Sequence, residues 1–318
     1  MLSGAAGLIY EVVWARQLVL VFGNTTQAIS AILTGLFAGM AIGSLGGGRL
    51  ADRVRSPLRL YGILELAVAA IALATPILFG RVADVYRAAY PALEQSPTVL
   101  GLARFTLTLV ALAPATILMG ATLPTLSRYL ARVHAEAAAS FGRLYAANTI
   151  GGVAGAALSG FVLIELFGLT GALVAGVGCS AIAGLAALAL GRNVAEARVQ
   201  GPQAVAPRGR RLALAIAFVS GMTSLGYQVL WTRLLSSGTG STTYVFSAIL
   251  VIVLVGIAIG AQLYGAGVGR GGSPVAFLGA TSSWWARSRW PGWRSSAVAW
   301  WSCRSRSSCS SPCSPRPS

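Results

Sequence analysis

Lysine is absent from this chain of 318 residues, histidine occurs once, and only eight residues are acidic. Charged residues make up 10% of the chain, against about 25% in an ordinary soluble domain, which leaves too little to cover a water-facing surface of this size. The lone His134 has no cysteine or histidine near it, and three of the four cysteines (Cys303, Cys309, Cys313) follow a C-x5-C-x3-C spacing that fits no familiar zinc pattern. Neither a metal nor a cofactor is therefore expected. The stretch Gly265 to Gly271 is rich in glycine, but lacks the preceding strand, following helix and distal acid of a dinucleotide fingerprint. Arginine supplies all 24 basic residues, for a net charge of +16. They lie in the gaps between apolar runs rather than on one basic face, so no nucleic-acid partner is expected.

What the chain has in abundance is apolar length. Hydrophobic residues make up 55% and the mean hydropathy is +0.72. A spanning helix needs about 20 mostly apolar residues. On that rule eight runs qualify, at roughly 1–21, 26–47, 58–80, 100–122, 146–166, 169–191, 212–235 and 243–265. They are long, rich in Ala, Leu and Gly, and without period-two alternation, which excludes barrel strands. The expected fold is all-α, a polytopic membrane protein of about eight transmembrane helices in contact with the lipid bilayer. Arginines concentrate in alternate gaps, at Arg49, Arg53, Arg55 and Arg59, at Arg128, Arg132 and Arg143, and at Arg192, Arg198, Arg208, Arg210 and Arg211. By the excess of basic residues on the cytoplasmic side, those gaps and the N-terminus face the cytoplasm.

The chain also repeats itself. Ser3 to Ser44 (SGAAGLIYEVVWARQLVLVFGNTTQAISAILTGLFAGMAIGS) recurs without a gap as Ser220 to Ala261 (SGMTSLGYQVLWTRLLSSGTGSTTYVFSAILVIVLVGIAIGA). Unusual residues coincide: Tyr10 with Tyr227, Trp14 with Trp231, Arg16 with Arg233, and Gly39 and Gly43 with Gly256 and Gly260. Six runs separate the two starts, so both copies have the same orientation, as in parallel repeats. This divides the chain into a first membrane half (1–191), a cytoplasmic linker (192–211), the first two helices of a second half (212–268) and a tail (269–318). The second copy has an apolar lead-in, LALAIAF, that the first lacks. Either the first span begins before Met1, or it is short and tilted. The tail holds six of the eight tryptophans and no acid. Its mixture of Trp, Arg, Ser, Cys and Pro is what a GC-rich gene yields in a shifted reading frame, and no folded domain is expected there.

Several residues stand out against this background. Gly48, Asp52 and Arg53 belong to GRLADR after the second run, similar to the G-x-x-x-D-R loop signature of the major facilitator superfamily, in which an acid and flanking arginines lock the cytoplasmic helix ends. Gly151, Gly155 and Ser159 recur every four residues, as do Gly152, Ala156 and Gly160, and small residues so spaced let helices approach closely. Glu11, Arg16, Glu65, Arg104, Glu165 and Arg233 fall inside or at the ends of apolar runs. Inserting a charge there costs about 2.5–3.5 kcal/mol, so such groups line cavities or pair up. Glu11 and Glu65 are the foremost substrate-binding candidates, with Tyr10 and the repeat partners Tyr227 and Gln228; Arg16 and Arg233 are expected to snorkel.

The blocks SGAAGLIYEVVWARQL, GNTTQAISAILTGLFAGMAIGS, GATLPTLSRYL (Gly120 to Leu130) and GRLYAANTIGGVAGAALSGFVLIELFG (Gly142 to Gly168) resemble the membrane portion of the bacterial fused major-facilitator/spermidine-synthase family. The resemblance covers about residues 1–268. It implies a multi-pass protein of the bacterial inner membrane with a transporter-like module for a small polar or cationic solute. Alternatively, it implies a membrane anchor or regulatory part of a spermidine synthase-like aminopropyltransferase of polyamine biosynthesis. The partner is then a synthase or a second copy in a homo-oligomer. No acid follows Glu196, so no catalytic residue carries over, and the chain as written is expected to lack aminopropyltransferase activity.

The orientation is open to direct test. In a background freed of native cysteines, single cysteines in the 49–59, 128–143 and 192–211 gaps should react with a membrane-impermeant maleimide from the cytoplasm. Those at 23–27 and 236–242 should react from outside. Reaction of replacements of Asn24 and Arg53 from the same side would overturn the arrangement.

Overall fold

A computed structural model describes residues 1–23, 25–133, 137–191, 210–239 and 243–265. His134, most of the expected linker and the tail lie outside these. Every element among the described residues is helical: α1 (Leu2–Phe22), α2 (Thr26–Arg53), α3 (Pro57–Leu93), α4 (Pro97–Val133), α5 (Ala137–Leu158), α6 (Ile164–Leu190), α7 (Arg210–Thr239) and α8 (Thr243–Gly265). A wide π turn, Ser159–Leu163, joins α5 to α6. An apolar chain reaches this outcome because a helix satisfies its backbone N–H and C=O groups within the segment, as hydrocarbon surroundings demand.

Seven described helices are long and apolar enough to cross a membrane, the make-up of a multi-pass membrane protein. That is one fewer than the eight runs, because the fifth and sixth merge in a single stretch, Phe141–Leu190. Inside that stretch the backbone leaves the helical region at Gly168, with φ 68° and ψ −176°. A positive φ favours glycine, which has no Cβ to clash.

Local chemistry sets the helix ends and interruptions. Thr25 caps α2, its Oγ1 accepting from the Ala28 N–H at 3.1 Å, and Pro57 opens α3 at a position whose N–H has no intrahelical partner anyway. Pro76, inside α3, cannot donate to the Ala72 carbonyl one turn earlier. The Thr75 hydroxyl takes that place, donating to the Ala72 carbonyl at 2.7 Å. It also accepts from the Trp14 indole N–H at 3.1 Å. A proline in α3 thus creates the polar anchor for the largest buried side chain of α1.

Packing depends on missing side chains. Gly39, Gly43 and Gly47 on α2 abut Thr116, Ile117 and Ala121 on α4, while Gly120 on α4 abuts the Met40 backbone; a Cβ on any of the four would overlap its neighbour. The stripes seen in the fifth run serve the same purpose, with Gly151 and Gly155 meeting the α1 backbone at Met1 and Ala5, Gly152 facing Leu8, and Gly160 facing Ser247 of α8. Ser159 is buried beside them. The core then closes around Tyr10, Trp14, Leu18 and Phe22 of α1, with Val68 and Phe79 of α3, Leu112 of α4 and Leu173 of α6. Tyr10 and Trp14 stack, 5.2 Å apart.

The second copy of the repeat meets different neighbours. Tyr10 and Trp14 are fully buried, whereas Tyr227 and Trp231 are 51% and 47% exposed. Gly256 and Gly260, the counterparts of Gly39 and Gly43, face open space. In the first copy α3, α4, α5 and α6 supply the covering surface; among the described residues α7 touches only α2 and α8.

This difference generates a paired prediction. Gly43→Ala should lower the thermal stability of the purified protein by about 1–3 kcal/mol through overpacking, while Gly260→Ala, the same change in the other copy, should be neutral. Equal losses in both, measured by loss of the monodisperse peak on heating, would contradict the packing described.

Candidate functional site

A cavity of about 1220 Å³ opens among the helices, somewhat above the range of about 300–1,000 Å³ for ordinary solute sites. Its lining comes from the N-terminal parts of α1, α3 and α5, from the C-terminal parts of α2, α4 and α6, and from the middle of α7 and α8. It reaches outward as far as Asp52 and Arg128. A smaller void of about 50 Å³ also lies between the two repeat copies, lined by Val12, Arg16, Val19, Thr232 and Phe246 among others.

Helical spacing explains how α1 serves both core and cavity. Ser3, Gly4, Gly7, Leu8, Tyr10 and Glu11 line the space, a face of three- and four-residue steps, while Trp14 and Leu18 continue into the core. Glu11 is 5% exposed, and its Oε1 has no hydrogen-bond partner. Gln228, its counterpart on α7, lines the same cavity, is likewise 5% exposed, and leaves its Nε2 without a partner. Glu65 enters from α3, 2% exposed, and accepts a hydrogen bond from the Ser3 hydroxyl. Tyr10, Tyr61 and Ser180 surround that carboxyl. Tyr10, Glu11, Glu65 and Gln228 are therefore brought together around one space. Tyr227 is not: it is half-exposed and absent from the lining.

At the mouth, Asp52 forms an ion pair with Arg128 of α4, and both side chains are nearly half exposed. Of the loop candidates, Gly48 and Asp52 line the cavity and Arg53 points to the exterior. Arg132 completes the link between α4 and α2, donating to the carbonyls of Val54 and Arg55 at 3.1 Å and of Ala51 at 3.2 Å. The Ala51 carbonyl belongs to the last turn of α2 and Val54 is its C-cap, where the helix leaves carbonyls unsatisfied; Arg55 lies just beyond. Arg128, Arg132, Asn148 and Ser180 escaped the sequence reading. The two arginines carried a signal only as loop charge, and the two small polar residues carried none.

The closed half is held by another polar contact. Arg104, buried on α4, donates through Nε to the Tyr86 hydroxyl at 2.9 Å and through Nη1 to Thr25 Oγ1 at 3.3 Å, with its guanidinium 5.8 Å from the Tyr86 ring centre. It thereby ties the start of α2 to the end of α3. Glu165 and Arg233 lie on exposed positions, and Arg16 is half-buried between the copies. No group of three or more metal-ligating side chains exists among the described residues.

Comparison of the chain with protein-family models, with curated proteins and with solved structures finds no match.

The two contacts at the mouth should differ in weight. Asp52→Asn should cost at most about 1 kcal/mol, since a half-exposed ion pair is worth little. Arg132→Ala, which removes hydrogen bonds to the part-buried carbonyls of Ala51 and Val54, should cost more, about 1–2 kcal/mol. Thermal unfolding of the two variants in detergent would reveal the order, and a larger loss for Asp52→Asn would contradict it.

Proposed function

We propose that this chain is a transporter-like membrane module that binds a small polar solute in the cavity between its two repeat copies and exposes it to one side of the bilayer at a time. The observation that carries this reading is a cavity that reaches from the middle of the bundle, at Gln228 and Leu250, to the end that carries Asp52 and Arg128, while the Arg104 contacts tie α2 to α3 at the opposite end. A purely anchoring bundle has no need of a space of that size.

On this reading the stretch from Phe141 to Leu190 crosses twice, with its turn at Gly168. Its 50 residues would span about 75 Å as one helix at 1.5 Å per residue, more than twice a hydrocarbon core of about 30 Å. The bundle then has eight crossings in an arrangement like that of the major facilitators, with parallel repeats. The arginine-rich end faces the cytoplasm, and the cavity is open inward. The resemblance to the fused bacterial family supports an inner-membrane location. The Asp52–Arg128 ion pair, formed beside this opening, ties α2 to α4 within the first half rather than bridging the two copies.

Cysteine accessibility tests the opening. Cysteines replacing Ser44, Ser127 and Ser224, which line the cavity, should react with a hydrophilic maleimide added from the same side that modifies a cysteine at Arg53. Cysteines at Val19 and Ile32, in the sealed half, should stay unreactive from either side. Protection of all three serine positions, or their reaction from the other side, would sink the inward-open reading.

A further inference from the structure

We infer that the cavity takes an organic cation with an apolar body, its charged group held by the carboxyls of Glu11 and Glu65. The inference deepens the proposed transport reading by naming the chemistry of its solute. Three carboxyl side chains line the cavity, Glu11, Asp52 and Glu65, against one basic side chain, Arg128. Arg128 is already engaged with Asp52. Neither Glu11 nor Glu65 belongs to an ion pair among the described residues; the amino group of Met1 acts on Glu65 from a distance without closing one. Two carboxyls are thus left facing the cavity outside any ion pair among the described residues. Charged groups buried in a membrane bundle pair with one another or mark a solute path.

The cluster does not stand on acidity alone. Glu11 Oε1 and Gln228 Nε2 are both buried atoms without partners on side chains that line the cavity. A buried polar atom costs about 1–3 kcal/mol when left unpaired, so these two atoms point to a guest, whose cationic group contacts the Glu11 oxygen and whose body carries an acceptor for the Gln228 amide N–H. They come from corresponding positions of the two repeat copies, which places a guest between the halves that must move relative to each other.

The remaining lining defines the rest of the guest. Phe37, Met40, Met119, Leu123, Val253 and Leu254 form an apolar wall, and methionine and leucine side chains adapt to guests of varied shape. A metal ion would need several oxygen ligands gathered at one point, and no such group of three is present among the described residues. Volume and wall together favour an amine or quaternary ammonium carried on a hydrocarbon body over an inorganic cation.

The experiment uses the purified full-length chain in detergent, with tritiated tetraphenylphosphonium as the cationic probe and the uncharged triphenylphosphine oxide as its neutral counterpart. Saturable binding at one site is expected, displaced by unlabelled tetraphenylphosphonium and not by triphenylphosphine oxide. Glu11→Gln and Glu65→Gln should each weaken binding about ten- to a hundred-fold, through loss of one of two poorly screened charge contacts. Glu94→Gln, outside the cavity, should leave it unchanged. Each variant is compared only if it elutes as a monodisperse peak; should Glu65→Gln fail that criterion, Glu11→Gln and Gln228→Ala decide. No saturable binding to the unaltered chain, equal binding by the Glu11→Gln variant, or displacement by triphenylphosphine oxide at similar concentration would overturn the inference. Proteoliposome flux separates it from the transport reading. Saturable binding without uptake would defeat transport and leave the cation site standing, whereas uptake of a neutral solute indifferent to Glu11→Gln would do the reverse.

Discussion

The bundle depends on backbone meeting backbone along α2 and α4. Helices surrounded by lipid gain little from hiding apolar surface, since the tails are as apolar as leucine, so close contact must supply the attraction. Three glycines of α2 and Gly120 of α4 remove the side chains that would hold the axes apart. That approach brings Asp52 within reach of Arg128, and lets Arg132 cover the last carbonyls of α2. It also sets Met40 and Met119 side by side in the cavity wall.

Polar groups inside the bundle are arranged by the same shortage of water. The proline of α3 frees a carbonyl, Thr75 satisfies it, and Trp14 is fixed by the remaining lone pair of the threonine. Thr108, Thr116 and Thr125 on α4 turn their hydroxyls back to carbonyls four residues earlier at 2.7–2.9 Å. Such groups are silent. Against them, Glu11 and Gln228 are conspicuous because each leaves a buried atom without a partner.

The repeat sharpens this contrast. Position 11 carries an acid in the first copy and position 228 an amide in the second, yet both open on the same cavity. One residue earlier, Tyr10 is packed against Trp14 while Tyr227 is half exposed. Equivalent sequence therefore does not give equivalent surroundings; α1 is embraced by α3, α5 and α6, and α7 has no such neighbours among the described residues.

The sequence by itself determined that the chain is helical, where most helices begin, and that Glu11 and Glu65 would be unusual; the ends of α3 and α4, at Leu93 and Val133, lie beyond the expected 80 and 122. Those conclusions rest on short-range physics, namely apolar length, proline and glycine positions, and the cost of charge in hydrocarbon. Only the tertiary structure decided that Glu65 would receive Ser3, that Asp52 would choose Arg128 over the neighbouring Arg53, and that Gln228 would join the cavity while Tyr227 would not. Each of those outcomes is a meeting between residues far apart in the chain. The rotation and approach of whole helices set such meetings, and the interval between a glycine on one helix and a threonine on another leaves no trace in the order of the residues.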